Sequence, residues 1–407
     1  MLLIGLQRYE KNVKQTLILL IFSYLCAVNA LKMRNMWMFI FMVLPLLAVI
    51  YIGWHVWAVL PFSRPWKAVA VILLMGCFLL LFFGLRRQTD NFSLPVAQVL
   101  YEVGTSSVFV MLYLVIIFLV LDLGRLVHLV PRSWLFNNWQ TALAIFVLVF
   151  GVFLYGNLHY YNKVRVPLEL TSKKLSKDYR VVMLSDLHLG YHNTRKELAR
   201  WVDLINAEHP DFILIAGDLI DGSIRPLKEE RMAEEFHRLQ APVYACLGNH
   251  EHFGGDANAR QFYQDAGIRL LIDEAAVIDS AIVVIGRDDR MNFRHRKPLD
   301  SLMAASSVNC KLSTVNSTPF TIVLDHQPYD LDRTEKAGVD FQLSGHTHRG
   351  QVWPISWITD AIYECSWGTY QRGNTHYYVS SGLGLWGGKF RIGTQSEYIV
   401  ATIKGEN

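Results

Sequence analysis

FILIAGDLID, residues 212–221, decides the fold. Five apolar residues, from Phe212 to Ala216, ask for a buried strand. Gly217 permits the tight backbone that ends it. Asp218 then stands at the strand exit, where a carboxylate can touch two cations. Asp221, three residues on, cannot easily reach the same cation; its better role is to hold a histidine by its ring N–H. On its own the segment reads equally well as a turn.

Four more segments of the same build lie around it. Asp186-Leu187-His188 follows the apolar run 180–184. Gly248-Asn249-His250-Glu251 follows 243–247, His326 follows 320–324, and Gly345-His346-Thr347-His348 follows 341–343. In an extended segment alternate side chains share a side, so Asp186 and His188 point together, as do His346 and His348. Asn249 offers an amide oxygen. His250 need not be a ligand: it can give a proton to a leaving oxygen. Any one of these histidines alone reads as a packed, satisfied side chain. Five polar segments in order, each closing an apolar run, are not coincidence, because two divalent cations need oxygen and nitrogen ligands converging from several strand ends.

The rest of the C-terminal part alternates. Strands are expected at 180–184, 212–216, 243–247, 269–272, 281–285, 320–324, 341–343, 377–379 and 398–403, with helices at 194–208, 228–240, 257–266 and 298–305. Early strand–helix alternation followed by strands alone points to an α/β protein, a β-sandwich flanked by helices.

The N-terminal part differs. Four apolar runs, 37–60, 66–85, 108–130 and 142–158, are each about long enough to cross a bilayer, and tryptophans such as Trp37, Trp54, Trp66 and Trp139 mark their ends. Asp122 and Arg125 fall in or at the end of the third run and are expected to pair with each other and reach the interface. A weaker run, 16–31, reads as a short fifth span or re-entrant segment, as a signal sequence, or as a consequence of a misassigned start, since Met33 or Met36 would open a cleaner four-span protein. The organisation is therefore 1–35 as an uncertain leader, 36–160 as about four transmembrane helices, and 161–407 as the catalytic domain, with the stretch after Asn162 serving as linker. Lys32, Arg34, Arg86, Arg87, Lys163 and Arg165 outnumber the basic residues of the opposite loops, which places the domain on the cytoplasmic side of an inner membrane. A net charge of +4 over 407 residues gives no sign of a nucleic-acid partner. Five scattered cysteines form no CxxC pair and fit a reducing compartment.

The five segments resemble those of the calcineurin-like metallophosphoesterases, over about residues 178–404. The stretches 345–352 and 381–384 look like a bacterial subgroup that is exported or membrane-attached. The resemblance implies a four-layer αββα sandwich, here preceded by an α-helical transmembrane bundle. It implies two metal ions, one held by Asp186, His188 and His348, the other by Asn249, His326 and His346, with Asp218 bridging them. His250, paired with Asp221, would be the proton donor. Arg349 stands where many of the subgroup have glycine, so it would narrow the pocket or bind substrate phosphate. Ligands without thiolate suit manganese first, with iron, zinc or magnesium also compatible. The expected reaction is attack on phosphorus by a water activated between the two ions.

The substrate is less legible. The stretch 353–370 is rich in tryptophan and isoleucine and reads either as an apolar flap dipping into lipid or as core packing. Arg287, Arg290, Arg294, Arg296 and Lys297 read as a headgroup site or as a solvated loop. A phosphoester, lipid-linked or close to the membrane, is the expected substrate, with the bilayer itself as partner. The alternative is a transport or sensor protein with a regulatory phosphoesterase domain. A piece beginning near Asn162 is expected to fold and act on small soluble esters alone.

Overall fold

The computed structural model describes residues 43–85, 88–310 and 318–406. The expected leader 1–35, the start of the first expected span, and Lys32, Arg34, Arg86 and Arg87 lie outside the described residues. Four apolar helices open the described chain: α1 (Leu44–Val59), α2 (Arg64–Leu85), α3 (Leu94–Leu126) and α4 (Trp139–Tyr161). Among the described residues α2, α3 and α4 are long and apolar enough to cross a membrane, while α1 has 16 residues. Large apolar side chains such as Ile72, Leu79, Phe146 and Leu148 stand exposed along them, as a lipid-facing surface requires.

The span expected at 108–130 is the later part of a longer helix. At 33 residues, α3 is about 50 Å long by the helical rise, against a hydrocarbon core of about 30 Å. Its surplus, roughly a dozen residues, includes the more polar run from Tyr101 to Ser107.

Contacts divide the chain into two compact units. In the first, residues 43–75 with 111–145, Asp122 does not pair with Arg125 as expected. Its carboxylate accepts from Tyr51 Oη at 2.8 Å and meets His55 Nε2 at 3.0 Å. The His55 ring is buried and stacked on Phe118, so a neighbouring helix, rather than the i,i+3 partner, satisfies the charge.

The second unit, residues 76–110 with 146–406, carries the sheets. Sheet one has the order β1-β12-β2-β3-β4-β5, built from β1 (Lys163–Ser172), β2 (Tyr179–Leu184), β3 (Phe212–Ala216), β4 (Val243–Cys246), β5 (Arg269–Leu270) and β12 (Ser396–Gly405). Sheet two runs β10-β11-β9-β8-β7-β6, from β6 (Glu274–Ile278), β7 (Ile282–Gly286), β8 (Phe320–Leu324), β9 (Phe341–Ser344), β10 (Gly368–Arg372) and β11 (Thr375–Val379). Alternation along each strand assigns the two faces. Val181, Met183, Phe212 and Leu214 meet Phe320, Ile322, Phe341 and Leu343 between the sheets. Val182, Leu184, Ile213 and Ile215 face outward onto Leu198, Trp201, Val202 and Phe262 of the helices Arg195–Ala207 and Asp256–Asp265. Val283, Ile285 and Val323 cover Leu299 and Leu302 of the helix Leu299–Cys310 on the other outer face. The result is four layers, αββα, preceded by the long apolar helices.

The stretch after Asn162 is no linker. β1 begins one residue after α4 ends and pairs in parallel with β12 along its whole length. The helix expected at 228–240 is two short helices, Arg225–Glu229 and Ala233–Phe236, parted where Arg231 takes a φ of 55°.

Candidate metal centre

β2, β3 and β4 are mutually parallel, and so are β8 and β9. Their C-terminal ends bring all five polar segments to one edge of the sandwich. The exits are stitched together: Asp186 N–H donates to Gly217 O at 3.1 Å, and Gly345 N–H to His326 O at 2.9 Å. Asp186, His188, Asp218, His346 and His348 all have left-handed backbones, with φ of 53°, 44°, 50°, 70° and 48°. Such strain at non-glycine residues persists where the surrounding structure over-determines the site. Two glycines make the approach possible. A Cβ on Gly248 would collide with the Asp218 carboxylate, and one on Gly345 with that of Asp186.

The side chains converge as two groups. Asp186, His188 and His348 form the first: Asp186 Oδ1 lies 3.8 Å from His188 Nε2 and 3.5 Å from His348 Nε2. Asp218, His326 and His346 form the second, with Asn249 Oδ1 2.8 Å from His346 Nδ1. Asp218 Oδ2 stands between them, 3.1 Å from His326 Nε2 and 3.7 Å from His188 Nε2. Asp221 sits beside the groups. Its Oδ1 meets His188 Nδ1 at 3.2 Å and His250 Nδ1 at 3.3 Å. The Nδ1–H of His250 points at the Asp221 carbonyl oxygen, 2.7 Å away. That leaves Nε2 as the free nitrogen.

The electrostatics are those of a site built around positive charge. Burial pushes the carboxyls of Asp186 and Asp218 up, but the surrounding histidines outweigh it and hold both below the usual range. Burial pushes His188 down, while hydrogen bonds to Asp186 and Asp221 lift it to about 10. Asp218 likewise keeps His326 well above its ordinary value against burial. His346 and His348 are held neutral, chiefly by burial, at about 4 and about 3.

This donor set fits divalent cations. The Nε2 atoms of His188 and His348 face each other at 3.1 Å. His326 donates from Nδ1 to Ala216 O at 2.8 Å, which turns Nε2 inward, and that buried atom has no well-directed hydrogen bond. Inward lone pairs among buried carboxylates are what a cation needs.

The family model described as calcineurin-like phosphoesterase matches residues 179–350. An uncharacterized metallophosphoesterase of Aquifex aeolicus is 30% identical over 262 residues, 62% of this chain and 96% of the relative. The chain belongs to the metallophosphoesterases. A Danio rerio transmembrane protein with a metallophosphoesterase domain is 27% identical over 368 residues, 84% of this chain and 81% of the relative. That alignment is too long to lie within residues 161–407 alone. A solved 5'-nucleotidase precursor from Thermus thermophilus matches with a TM-score of 0.36 at 16% identity, over 51% of this chain and 50% of that one, so the chain spans about half of its length.

Other residues of the metallophosphoesterase domain were less legible. Arg349 stacks its guanidinium 3.9 Å above the Trp367 ring, and Trp367 donates to Glu397. The stretch 353–370 therefore divides: Trp367 is packed, whereas Trp357, Ile358 and Ile362 on the helix Ile355–Ile362 are more than half exposed. Arg287 and Arg296 both bind Asp325, next to His326. Glu251 accepts from the N–H groups of Asp218, Ile220 and Gly248; the sequence signal was its place three residues after Gly248, where a carboxylate can cap the start of the helix. The buried Arg391 donates to the carbonyls of His348, Ser381, Gly382 and Gly384, and nothing in the sequence marks it. Nor does anything mark Tyr101, whose hydroxyl donates to Asp221 Oδ2 at 2.5 Å.

Proposed function

We propose that this metallophosphoesterase is a membrane-anchored, two-metal enzyme that hydrolyses a phosphoester or pyrophosphate carried by a lipid-linked or membrane-proximal substrate. The observation that carries the reading is the convergence of Asp186, His188, Asp218, His326, His346 and His348 at adjacent strand ends. Asp186, His188 and His348 would hold one cation and Asn249, His326 and His346 the other, with Asp218 placed between the two groups. Bound there, the pair supplies Lewis acidity toward the phosphoryl oxygens and an acidified water; manganese is the ion expected. The chain's own part is positional. Asp221 fixes the rings of His188 and His250 together. His250 presents Nε2 to the leaving oxygen as proton donor. Arg349, held flat by Trp367, is a candidate contact for the phosphoryl group.

The lipid-linked part of the reading draws on the long apolar helices and on the exposed Trp357, Ile358 and Ile362. The loop charges favour a cytoplasmic catalytic domain at an inner membrane. A transport or sensor role draws on one observation, the Asp122–His55–Tyr51 cluster among the apolar helices; solute flux in vesicles carrying the protein would decide for it.

Metal removal tests the principal reading. Chelation should abolish hydrolysis of an aryl phosphodiester by the detergent-solubilised chain, and manganese should restore it. Asp218→Asn should cost more activity than His348→Ala, because it touches both ions. Undiminished turnover in excess chelator would sink the proposal.

A further inference from the structure

A cavity of about 490 Å³ opens beside His250. One wall comes from the catalytic loops: Tyr191, Asp221, Ser223, Phe253 and Trp386. The other comes from the apolar helices: Gly84 at the end of α2, Thr89 and Asp90 in the α2–α3 connection, and Tyr101 on α3. Both walls belong to the same compact unit.

The junction is built rather than incidental. Asp90 accepts hydrogen bonds from Tyr191 and from Ser223 Oγ, and its carbonyl accepts from Arg225. Gln98 donates to Glu230 at 2.7 Å. Tyr101 stacks on His192 and binds Asp221. Gly104 lets α3 touch the backbone of Leu80 and Leu81, and Gly84 lies against the Tyr101 ring. The two helix ends thus enter the cavity wall as one piece.

Charge then restricts what the cavity can hold. Among the described residues no lysine or arginine lines it, and its two carboxylates, Asp90 and Asp221, are already engaged. The described lining thus offers a phosphate no cationic side chain, while the neighbouring metal groups would draw it. Rings and glycines make up much of the lining, and the volume is within the range of a small-molecule site. α2 is just long enough to span the hydrocarbon core, so if it crosses a bilayer its end, Gly84, would lie at the surface.

We propose that this cavity receives the apolar part of the leaving group of a membrane-resident phosphoester, so that helices α2 and α3 supply half of the substrate site. The inference rests on the two-metal reading for the position of the phosphate. A single-chain amphiphile rising beside Gly84 would place its hydrocarbon against Tyr101, Phe253 and Trp386 and its phosphoryl group past His250.

Octyl phosphate tests this against methyl phosphate, both as inhibitors of metal-dependent aryl phosphodiester hydrolysis by the full chain in detergent. Octyl phosphate should bind at least tenfold more tightly. Phe253→Asp puts a charge on a half-exposed ring of the wall and should erase most of that preference, while Val277→Asp, on the exposed β6, should leave it intact. An octyl phosphate carrying a diazirine at its chain end should label peptides around 84–101, 253 or 386. Equal inhibition by the two phosphates, or labelling confined to the helix Ile355–Ile362 or to parts of the apolar helices outside residues 84–101, overturns the proposal while metal-dependent hydrolysis stands. Labelling of the cavity by a chain that shows no metal-dependent hydrolysis overturns the enzymatic reading instead.

Discussion

Asp221 is shared by three side chains of the centre. One oxygen serves His188 and His250; the other takes the hydroxyl of Tyr101, 120 positions earlier in the chain. Tyr101→Phe keeps the ring and removes one hydrogen bond to a buried carboxylate, worth about 1.5–3 kcal/mol. If Asp221 aims His250, kcat should fall about tenfold on esters with poor leaving groups and much less on activated aryl esters, with metal content unchanged. A uniform fall on both, or lost metal, would mark Tyr101 as a structural support only. The same residue shows the limit of sequence reading. The polar segments at the strand exits could be seen because cation ligands cluster and follow apolar runs. Tyr101 and Arg391 act through partners that only the fold brings near, and a tyrosine in an apolar helix reads as packing.

At the scale of elements, glycines set how closely α2 and α3 approach. A side chain at Gly104 meets the backbone of Leu80 and Leu81, whereas a Cβ at Gly76 meets nothing within 4 Å. Gly104→Val should therefore part the helices and destabilise the protein by about 1–3 kcal/mol, lowering its thermal midpoint in detergent and its activity together. Gly76→Ala should be neutral or slightly stabilising, since alanine favours helix. Equal behaviour of the two variants would mean the helices are not held by this contact. Buried strands such as Phe212–Ala216 and Phe320–Leu324 were legible as unbroken apolar runs. β1 was not, because an edge strand with half-exposed, alternating residues and a proline resembles a linker. β6 was missed because its hairpin turns at Asp279-Ser280, both left-handed with φ of 49° and 56°, without the glycine that usually announces such a turn.

On the scale of the whole molecule, the catalytic domain leans on the apolar helices more than its sequence suggests. Phe390 packs between Phe109 and Phe153, Arg391 N–H donates to Gly156 O at 2.9 Å, and Asn157 donates to Lys389 O. A truncation beginning at Asn162 should expose the Phe390 ring and lose the wall beside His250. It should unfold at a lower temperature than the full chain and turn over poor leaving groups more slowly. Equal thermal midpoints and equal rates would show the contacts to be dispensable. The strand order has a consequence for how the molecule is made. β12, the last strand, lies between β1, which follows directly on α4, and β2. During synthesis α4 can enter the bilayer while β1 and β2 wait as open edges for more than two hundred residues. Closure must await the emergence of β12 from the ribosome, so the nascent chain passes through a long interval in which the facing edges of β1 and β2 have no strand between them.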